Sequence, residues 1–228
     1  MRTLAIGDIH GCRSALVALM EAVDPTTEDR VVFLGDYVDR GPDSKGVIDW
    51  ILANRDQRET IALRGNHEIM MLESRRSYFD LNLWLPSGGQ ATFQSYGIES
   101  DRSWAHLVPD AHWEFMEQTT AWFETDSHIY VHASLDPERE LADQPEEALY
   151  WLKLDAMGER HRSGKTVVCG HTRQASGEIL NLGRAICIDT AACGGQWLTC
   201  LDAENGDYWQ ANEAGETRSG KLPDPVAG

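Results

Sequence analysis

The chain has 228 residues, the length of one large domain at roughly 150 residues per domain, and a chain of that size buries about 70% of its unfolded surface without staples. Twenty lysines and arginines against 37 acidic residues leave a formal charge of −17, which excludes the basic footprint of a nucleic-acid binder and docking on anionic lipid. At 42% hydrophobic and 25% charged the composition is globular, and no apolar run approaches the ~20 residues of a membrane span.

The predicted elements begin as an alternation of strand and helix. Leu4-Ala5-Ile6 is a short apolar run that ends in Gly7-Asp8. A secretory core needs about 7–15 apolar residues, so this start predicts no signal peptide and a cytoplasmic protein. Ser14–Val23 carries Leu16, Leu19, Met20 and Val23 at helical spacing. A second strand, Val31-Val32-Phe33-Leu34, leads into Gly35-Asp36. Pro42-Asp43-Ser44 starts a helix running to Leu52. A third strand, Ile61-Ala62-Leu63, leads into Arg64-Gly65-Asn66, and a helix opens over His67–Leu72. From Glu73 to Ala121 the pattern is helical and aromatic, which predicts an excursion over the sheet rather than a separate domain. Ile129-Tyr130-Val131 ends in His132, and Val167-Val168-Cys169 ends in Gly170-His171. Later strands fall near Ile179–Leu180, Ala185–Ile188, Trp197–Leu201 and Tyr208–Gln210, with Asn205-Gly206 as a hairpin turn. The polar, Gly- and Pro-containing stretch 213–228 is predicted as a flexible tail, leaving 1–212 as one domain. Five cysteines, an odd number with no C-x-x-C pair, predict reduced structural thiols.

Strand–helix alternation predicts a parallel sheet with helices on its faces, and such sheets bind ligands at the carboxyl ends of their strands. Asp8, His10, Asp36, Asn66, His132 and His171 all stand at that end. Singly each is ordinary: an Asp after a strand is turn chemistry, and Asn66 can cap the helix behind it. Asp8 and His10, two apart in an extended loop, point the same way. Together the six offer three oxygens and three nitrogens. That is too many for one ion with an open position, and suited to two ions sharing a carboxylate. No cysteine joins the set, which argues against a closed structural zinc site. Mixed imidazole, carboxylate and amide donors suit Mn, Fe or Zn. Two such ions ~3.5–4 Å apart clamp the attacking and leaving oxygens of a displacement at phosphorus.

Gly7-Asp8-Ile9-His10-Gly11, Gly35-Asp36-Tyr37-Val38-Asp39-Arg40-Gly41, Arg64-Gly65-Asn66-His67-Glu68, Val131-His132-Ala133 and Gly170-His171-Thr172 occur in that order. They resemble the five signature blocks of the PPP-type serine/threonine phosphatases, especially the bacterial and lambda-phage branch of the calcineurin-like metallophosphoesterases. The resemblance runs from Gly7 to Asp189. Trp84, Gly88-Gly89, Thr92 and Ser95-Tyr96-Gly97 are similar to a linking segment of that branch, as is Ile188-Asp189-Thr190 with Gly194-Gly195.

The resemblance implies an α/β fold, a β-sandwich of mixed sheets flanked by helices. It implies two divalent metal ions, Mn first, with Fe or Zn as alternatives. Asp8, His10 and Asp36 would hold the first; Asp36 would bridge to the second, completed by Asn66, His132 and His171. Water between two such cations loses its proton near neutral pH and would attack phosphorus directly. His67 would protonate the leaving alkoxide, and Asp39 would hold His67 charged and oriented. Arg40 is the phosphate fork, with Asn66 beside it. Lys153 stands where the branch carries a second arginine in a Trp-x-Arg context; Arg160, Arg162 and Arg173 are alternatives for that cation. Arg64 and Glu68 read as supports, and His106, His112, His128 and His161 as surface or packing residues.

The activity implied is hydrolysis of phosphoserine and phosphothreonine, with a phosphorylated protein or small phosphoester as partner and neither nucleic acid nor membrane. A symmetrical dinucleoside tetraphosphate hydrolase of the same fold is the second reading. Members of that type tend to lack the Asp of D-R-G and to carry G-N-H-D, whereas Asp39-Arg40-Gly41 and Gly65-Asn66-His67-Glu68 stand here. A phosphodiesterase would carry a second His at position 173, which is Arg. A non-catalytic metal-binding module would lack His67 or Arg40.

Overall fold

The computed structural model describes residues 1–226 apart from 101 and 156. Its first half follows the predicted alternation: β1 (Thr3–Ile6), α1 (Arg13–Val23), β2 (Arg30–Phe33), α2 (Ser44–Asn54), β3 (Glu59–Ala62) and α3 (Asn66–Ser74). The Asp43 side chain accepts from the Gly46 amide at 2.9 Å and so starts α2. An excursion then carries α4 (Tyr78–Trp84), α5 (Gly89–Ser95) and α6 (Asp110–Gln118). The second half holds β4 (Trp122–Glu124), β5 (His128–Val131), α7 (Glu146–Tyr150), β6 (Thr166–Cys169), β7 (Leu180–Asn181), β8 (Ala185–Cys187), β9 (Leu198–Asp202), β10 (Asp207–Ala211) and β11 (Thr217–Lys221).

The strands form two mixed sheets, ordered β11-β10-β9-β1-β2-β3 and β4-β5-β6-β8-β7. Alternation alone predicted one parallel sheet, and the parallel cores β1-β2-β3 and β5-β6-β8 are that prediction's correct part. The correction to alternation alone is that antiparallel strands extend them into the two mixed sheets that the resemblance implies: β9 pairs β1, and the β9-β10-β11 meander follows. Residue alternation shows why there are two layers. In β1 and β2, Ala5 and Val32 face the second sheet's Tyr130, Val168 and Ile186. Leu4, Ile6, Val31 and Phe33 face the other way, against Leu16 and Leu19 of α1 and Val47, Ile48 and Ile51 of α2. Both faces of each central strand are covered, so these strands read as continuous apolar runs. The excursion is bound into the same helical layer through Trp84, Phe93, Trp104 and Trp113. Among the described residues no helix is long and apolar enough to cross a membrane.

The predicted tail is a second correction. Residues 217–221 form β11, in register with β10 from Asp207↔Lys221 to Ala211↔Thr217. Upstream, the Glu213 carboxylate accepts the Ala15 amide at 3.1 Å and caps α1, whose own first residues offer no side-chain cap. Arg218 donates to Gln210 Oε1 at 2.6 Å and stacks on Trp197. An edge strand exposes alternate residues, so its sequence, Thr-Arg-Ser-Gly-Lys, lacks the apolar signal of an inner strand. Residues 227 and 228 of the predicted tail lie outside the described residues.

Asp29 ties the start of β1 to the loop before β2. Its carboxylate accepts from the Arg2 amide, Nε and Nη2, and from the Thr26 amide and hydroxyl, at 2.6–3.2 Å. The Arg2 guanidinium, with these amides, holds the Asp29 carboxyl well below the usual carboxylate range against its burial. A group depressed in this way stabilises the fold above its unfolded pKa of ~3.9, and that contribution disappears as pH falls towards the folded value. Asp29→Asn is expected to lower the unfolding free energy by about 1.5–3 kcal/mol at pH 7. The deficit should shrink in denaturant titrations at pH 3; a pH-independent deficit would refute the charge-based account.

Candidate metal centre and active site

Five loops meet where the two sheets pack, each leaving the carboxyl end of a strand: β1, β2, β3, β5 and β6. The parallel register Ile6↔Phe33↔Ala62 brings the first three ends level. The loops hold one another by backbone bonds: the Asp36 carbonyl accepts from the Ile9 and His10 amides, and the His132 carbonyl from the Gly170 amide, at 2.8–3.1 Å. His132 Nδ1 crosses to the other sheet and donates to the Leu34 carbonyl at 2.9 Å. His10, Asp36, Asp39, Arg40 and His171 all lie in the left-handed region, with φ between 45° and 75°. Concentrated strain of this kind marks a site that the surrounding fold enforces.

The donor set fits a pair of cations. Each imidazole has one nitrogen committed to a backbone carbonyl: His10 Nδ1 to Val38 at 2.9 Å, His132 Nδ1 to Leu34, and His171 Nε2 to Trp151 at 3.1 Å. Their other nitrogens therefore carry lone pairs. Burial reinforces this, driving His10 down to about 3 and His132 to about 4, and lowering His171 as well. His132 Nε2 and His171 Nδ1 lie 3.0 and 3.1 Å from Asn66 Oδ1, and Asp36 Oδ1 lies 3.4 Å from His132 Nε2. Four acceptors converge there with no hydrogen between them, which is the environment of a cation. On the other side of the same carboxylate, Asp36 Oδ2 lies 3.3 Å from His10 Nε2. Asp36 is thus common to two ligand groups, and its burial is outweighed by His132, His67 and His10, which hold it below the usual carboxylate range.

Five of the six sequence-derived ligands fall into these two groups. Asp8 is buried beside them but belongs to neither; both its oxygens accept the His171 amide, at 3.2 and 3.0 Å. Burial, then Asp189 and Asp36, push its carboxyl well above the usual range. The His10 lone pair is taken by Arg40 Nη1 at 2.7 Å. Two glycines make the packing possible: a Cβ at Gly65 would overlap Asp36 Oδ1, and one at Gly170 would overlap Asp8 Oδ1.

His67 stands between the two functions. Its ring lies edge-on to His10 with centroids 4.7 Å apart, and Nε2 is 3.9 Å from Asp36 Oδ2. Its Nδ1, however, is bound to Asp39 Oδ2 at 2.6 Å. Burial pulls the His67 pKa down, but Asp36 and the hydrogen-bonded Asp39 outweigh it and raise it. With Nδ1 anchored on Asp39, Nε2 is the ring nitrogen left facing the shared carboxylate.

Sequence reasoning understated Glu68. Its buried carboxylate accepts from the Asp36, Tyr37 and Gly65 amides at 2.8–2.9 Å, so one side chain shapes both the β2 and β3 loops. Burial and Asp36 push it up to about 7. The Glu three residues past Gly65 was the available signal, a capping-box spacing with Gly as the cap. Arg64 is structural: it donates to Thr119 Oγ1 and to the Met116, Glu117 and Thr119 carbonyls, closing the end of α6. Of the candidate second cations, Lys153 is exposed on the wall of a cavity of about 400 Å³ with His161 and Arg184. Arg160 is bound to Thr166 Oγ1 and the Gly164 and Gly183 carbonyls, and Arg162 to Glu140 and the Glu138 carbonyl. Arg173 lies against Gly194, and its charge, like that of Arg40, acts on the buried Asp189. The four remaining histidines are not drawn into the centre; His112 bridges Tyr96 and Asp49 in the excursion.

The family model for calcineurin-like phosphoesterases matches residues 1–175. The chain belongs to that family. Two curated relatives share stretches of its sequence. A stretch of 85 residues, 37% of each chain, is 45% identical to Serine/threonine-protein phosphatase 1 of Salmonella typhimurium. A stretch of 144 residues, 60% of this chain and 45% of the relative, is 30% identical to the symmetrical bis(5'-nucleosyl)-tetraphosphatase of Methylobacillus flagellatus. The phosphoesterase therefore spans less than half the length of either relative. Its fold matches the cold-active protein-tyrosine phosphatase of a psychrophilic Shewanella species at a TM-score of 0.67, covering 96% of this chain and 80% of that one at 16% identity. The family uses divalent metals, and the two ligand groups sharing Asp36 are where this chain would hold them.

Proposed function

We propose that this phosphoesterase is a two-metal phosphomonoesterase acting on phosphoserine and phosphothreonine. The observation that carries the reading is the His67–Asp39 pair, 2.6 Å apart, with His67 Nε2 directed at the shared carboxylate. A serine or threonine alkoxide is a poor leaving group and needs a proton as the P–O bond breaks. A nucleoside polyphosphate departs as a stable anion and needs none. When bound, two divalent cations supply an activated water and neutralise phosphate charge; the thiolate-free donor set leads us to propose manganese. His10, Asp36, Asn66, His132 and His171 would hold the cations, with the buried Asp8 beside them, and Arg40 would pair the phosphate oxygens. His67 protonates the leaving oxygen, and Asp39 orients it. We also propose a cytoplasmic setting, which the five cysteines, all free thiols, support.

The similarity to a symmetrical tetraphosphatase over 144 residues favours a second reading, hydrolysis of a dinucleoside tetraphosphate. Side-by-side turnover of a phosphothreonine peptide, a phosphotyrosine peptide and diadenosine tetraphosphate with Mn²⁺ decides between them. The proposal expects the phosphothreonine peptide to have the highest kcat/KM. Preferential cleavage of diadenosine tetraphosphate would replace it with the second reading.

A phosphomonoester carries nearly two negative charges, more than Arg40 alone can pair. The Arg173 side chain lies against Gly194, and its charge, like that of Arg40, reaches the buried Asp189, which supports Arg173 rather than the exposed Lys153 as the second phosphate cation. Arg173→Ala is expected to raise KM about 10-fold with little change in kcat, as loss of uniform binding does, and Lys153→Ala to leave both constants within about 2-fold. The reverse pattern in steady-state kinetics would return the role to Lys153.

A further inference from the structure

Trp84, Gly88 and Thr92 form a motif of the helical excursion to which the proposed chemistry gives no part, yet all three touch the active-site loop. We infer that Trp84 and Thr92 are positioning residues for the proton-donating pair, clamping Asp39 so that His67 is aimed. The inference rests on the reading of His67 as the acid.

The clamp can be followed atom by atom. Asp39, Trp84 and Thr92 are fully buried. Asp39 Oδ2 accepts from His67 Nδ1 at 2.6 Å and from the Trp84 indole Nε1 at 2.7 Å. Asp39 Oδ1 accepts the Thr92 hydroxyl at 2.7 Å. That hydroxyl has one proton and two lone pairs. The proton goes to Asp39; the lone pairs take the Asp39 amide at 2.9 Å and the Ser44 hydroxyl at 3.0 Å. The Asp39 amide also reaches Ser44 Oγ at 3.0 Å. Every polar atom of this pocket is thus satisfied, and such networks fix one geometry. The indole cannot drift, because it is packed between Phe93 and Trp104 at ring centroid distances of 5.7 and 5.2 Å. Between the two clamp residues, the Gly88 carbonyl accepts the Arg40 amide at 3.1 Å. One short segment therefore grips Asp39 by its carboxylate and Arg40 by its backbone.

In the step itself, His67 gives its Nε2 proton to the leaving oxygen as that oxygen takes the electron pair of the P–O bond. The imidazole becomes neutral and keeps its Nδ1 hydrogen on Asp39. The two outer donors do not touch substrate; they hold the carboxylate in place against His67 Nδ1. With one gone, Asp39 can rotate, and His67 loses its aim.

The test compares Thr92→Val, Thr92→Ser, Trp84→Phe and His67→Asn on phenyl phosphate and p-nitrophenyl phosphate, whose leaving groups differ in their need for a proton. The inference expects Thr92→Val and Trp84→Phe to lose about 10-fold or more kcat on phenyl phosphate beyond any loss on p-nitrophenyl phosphate. KM and bound metal should match wild type, and Thr92→Ser should restore the rate. If Thr92→Val does not fold, Trp84→Phe decides alone. Equal losses on both substrates in the clamp variants, with the differential kept in His67→Asn, would overturn the inference and leave the acid standing. Equal losses in His67→Asn itself would overturn the acid assignment and the inference with it.

Discussion

Asp36→Asn is expected to strip both cations from the protein at once. Its two oxygens serve different groups, Oδ1 facing His132 and Asn66 and Oδ2 facing His10. An amide offers one neutral oxygen and, on the other side, two hydrogens that repel a cation. The buried position gives the side chain no room to compensate, because Gly65 lies against it and Glu68 fixes the loop. Turnover should fall beyond the ~10²–10³ that loss of a single stabilising group costs. His171→Ala, by contrast, removes a ligand of one group only and should weaken mainly one ion. Elemental analysis of purified wild type and both variants after saturation with Mn²⁺ provides the check. One ion per chain in wild type, or unchanged stoichiometry in Asp36→Asn, would refute the shared-carboxylate model.

His67→Asn should produce the second-largest effect and a different signature. Removing a general acid costs ~10²–10⁴ in kcat, and the cost depends on the leaving group. A serine alkoxide needs the full proton; p-nitrophenolate hardly needs one. The loss is therefore expected to be large on a phosphoserine peptide and small on p-nitrophenyl phosphate. Asp39→Asn should follow the same pattern, since Asp39 acts only through the 2.6 Å bond to His67. Both variants should bind metal as wild type does. A uniform loss on the two substrates would contradict the role, and a loss of bound metal in His67→Asn would make His67 a ligand, as its proximity to His10 and Asp36 allows.

The candidate ligands could be picked out because each follows a short apolar run whose length and composition mark a buried strand. Counting donors then implied a shared carboxylate, and the geometry of Asp36 agrees. The architecture was legible only in part. Apolar runs covered on both faces look alike in one helix-flanked sheet and in a sandwich, so periodicity could not tell the two apart. β7 is two residues long, too short for any pattern, and β11 is an exposed edge. Asp8 read as an immediate ligand, but a backbone amide competes for its oxygens, and amides leave no trace in side-chain spacing. The contacts of Asp39 with Trp84 and Thr92 bridge 45 and 53 residues. Such pairings come from how the excursion packs. Lys153 was placed by a local motif, and no such motif shows that the Arg173 side chain lies against Gly194.

The left-handed backbone at His10, Asp36, Asp39, Arg40 and His171 has a consequence for the evolution and engineering of this chain. Each such residue costs roughly 1–2 kcal/mol relative to ordinary backbone, so the five together amount to roughly 5–10 kcal/mol. That is comparable to the whole net stability of a typical domain. Glycine at any of the five would relieve its share, so selection for thermal resistance alone, in a chain without cations, should drift toward glycine where turnover demands a side chain. Melting temperature would then rise as the proposed activity disappears, and a library sorted only for folding would be depleted of active members. Screens for a hardier variant of this protein should be run with metal and substrate present, so that the loops are judged in the state that uses their shape.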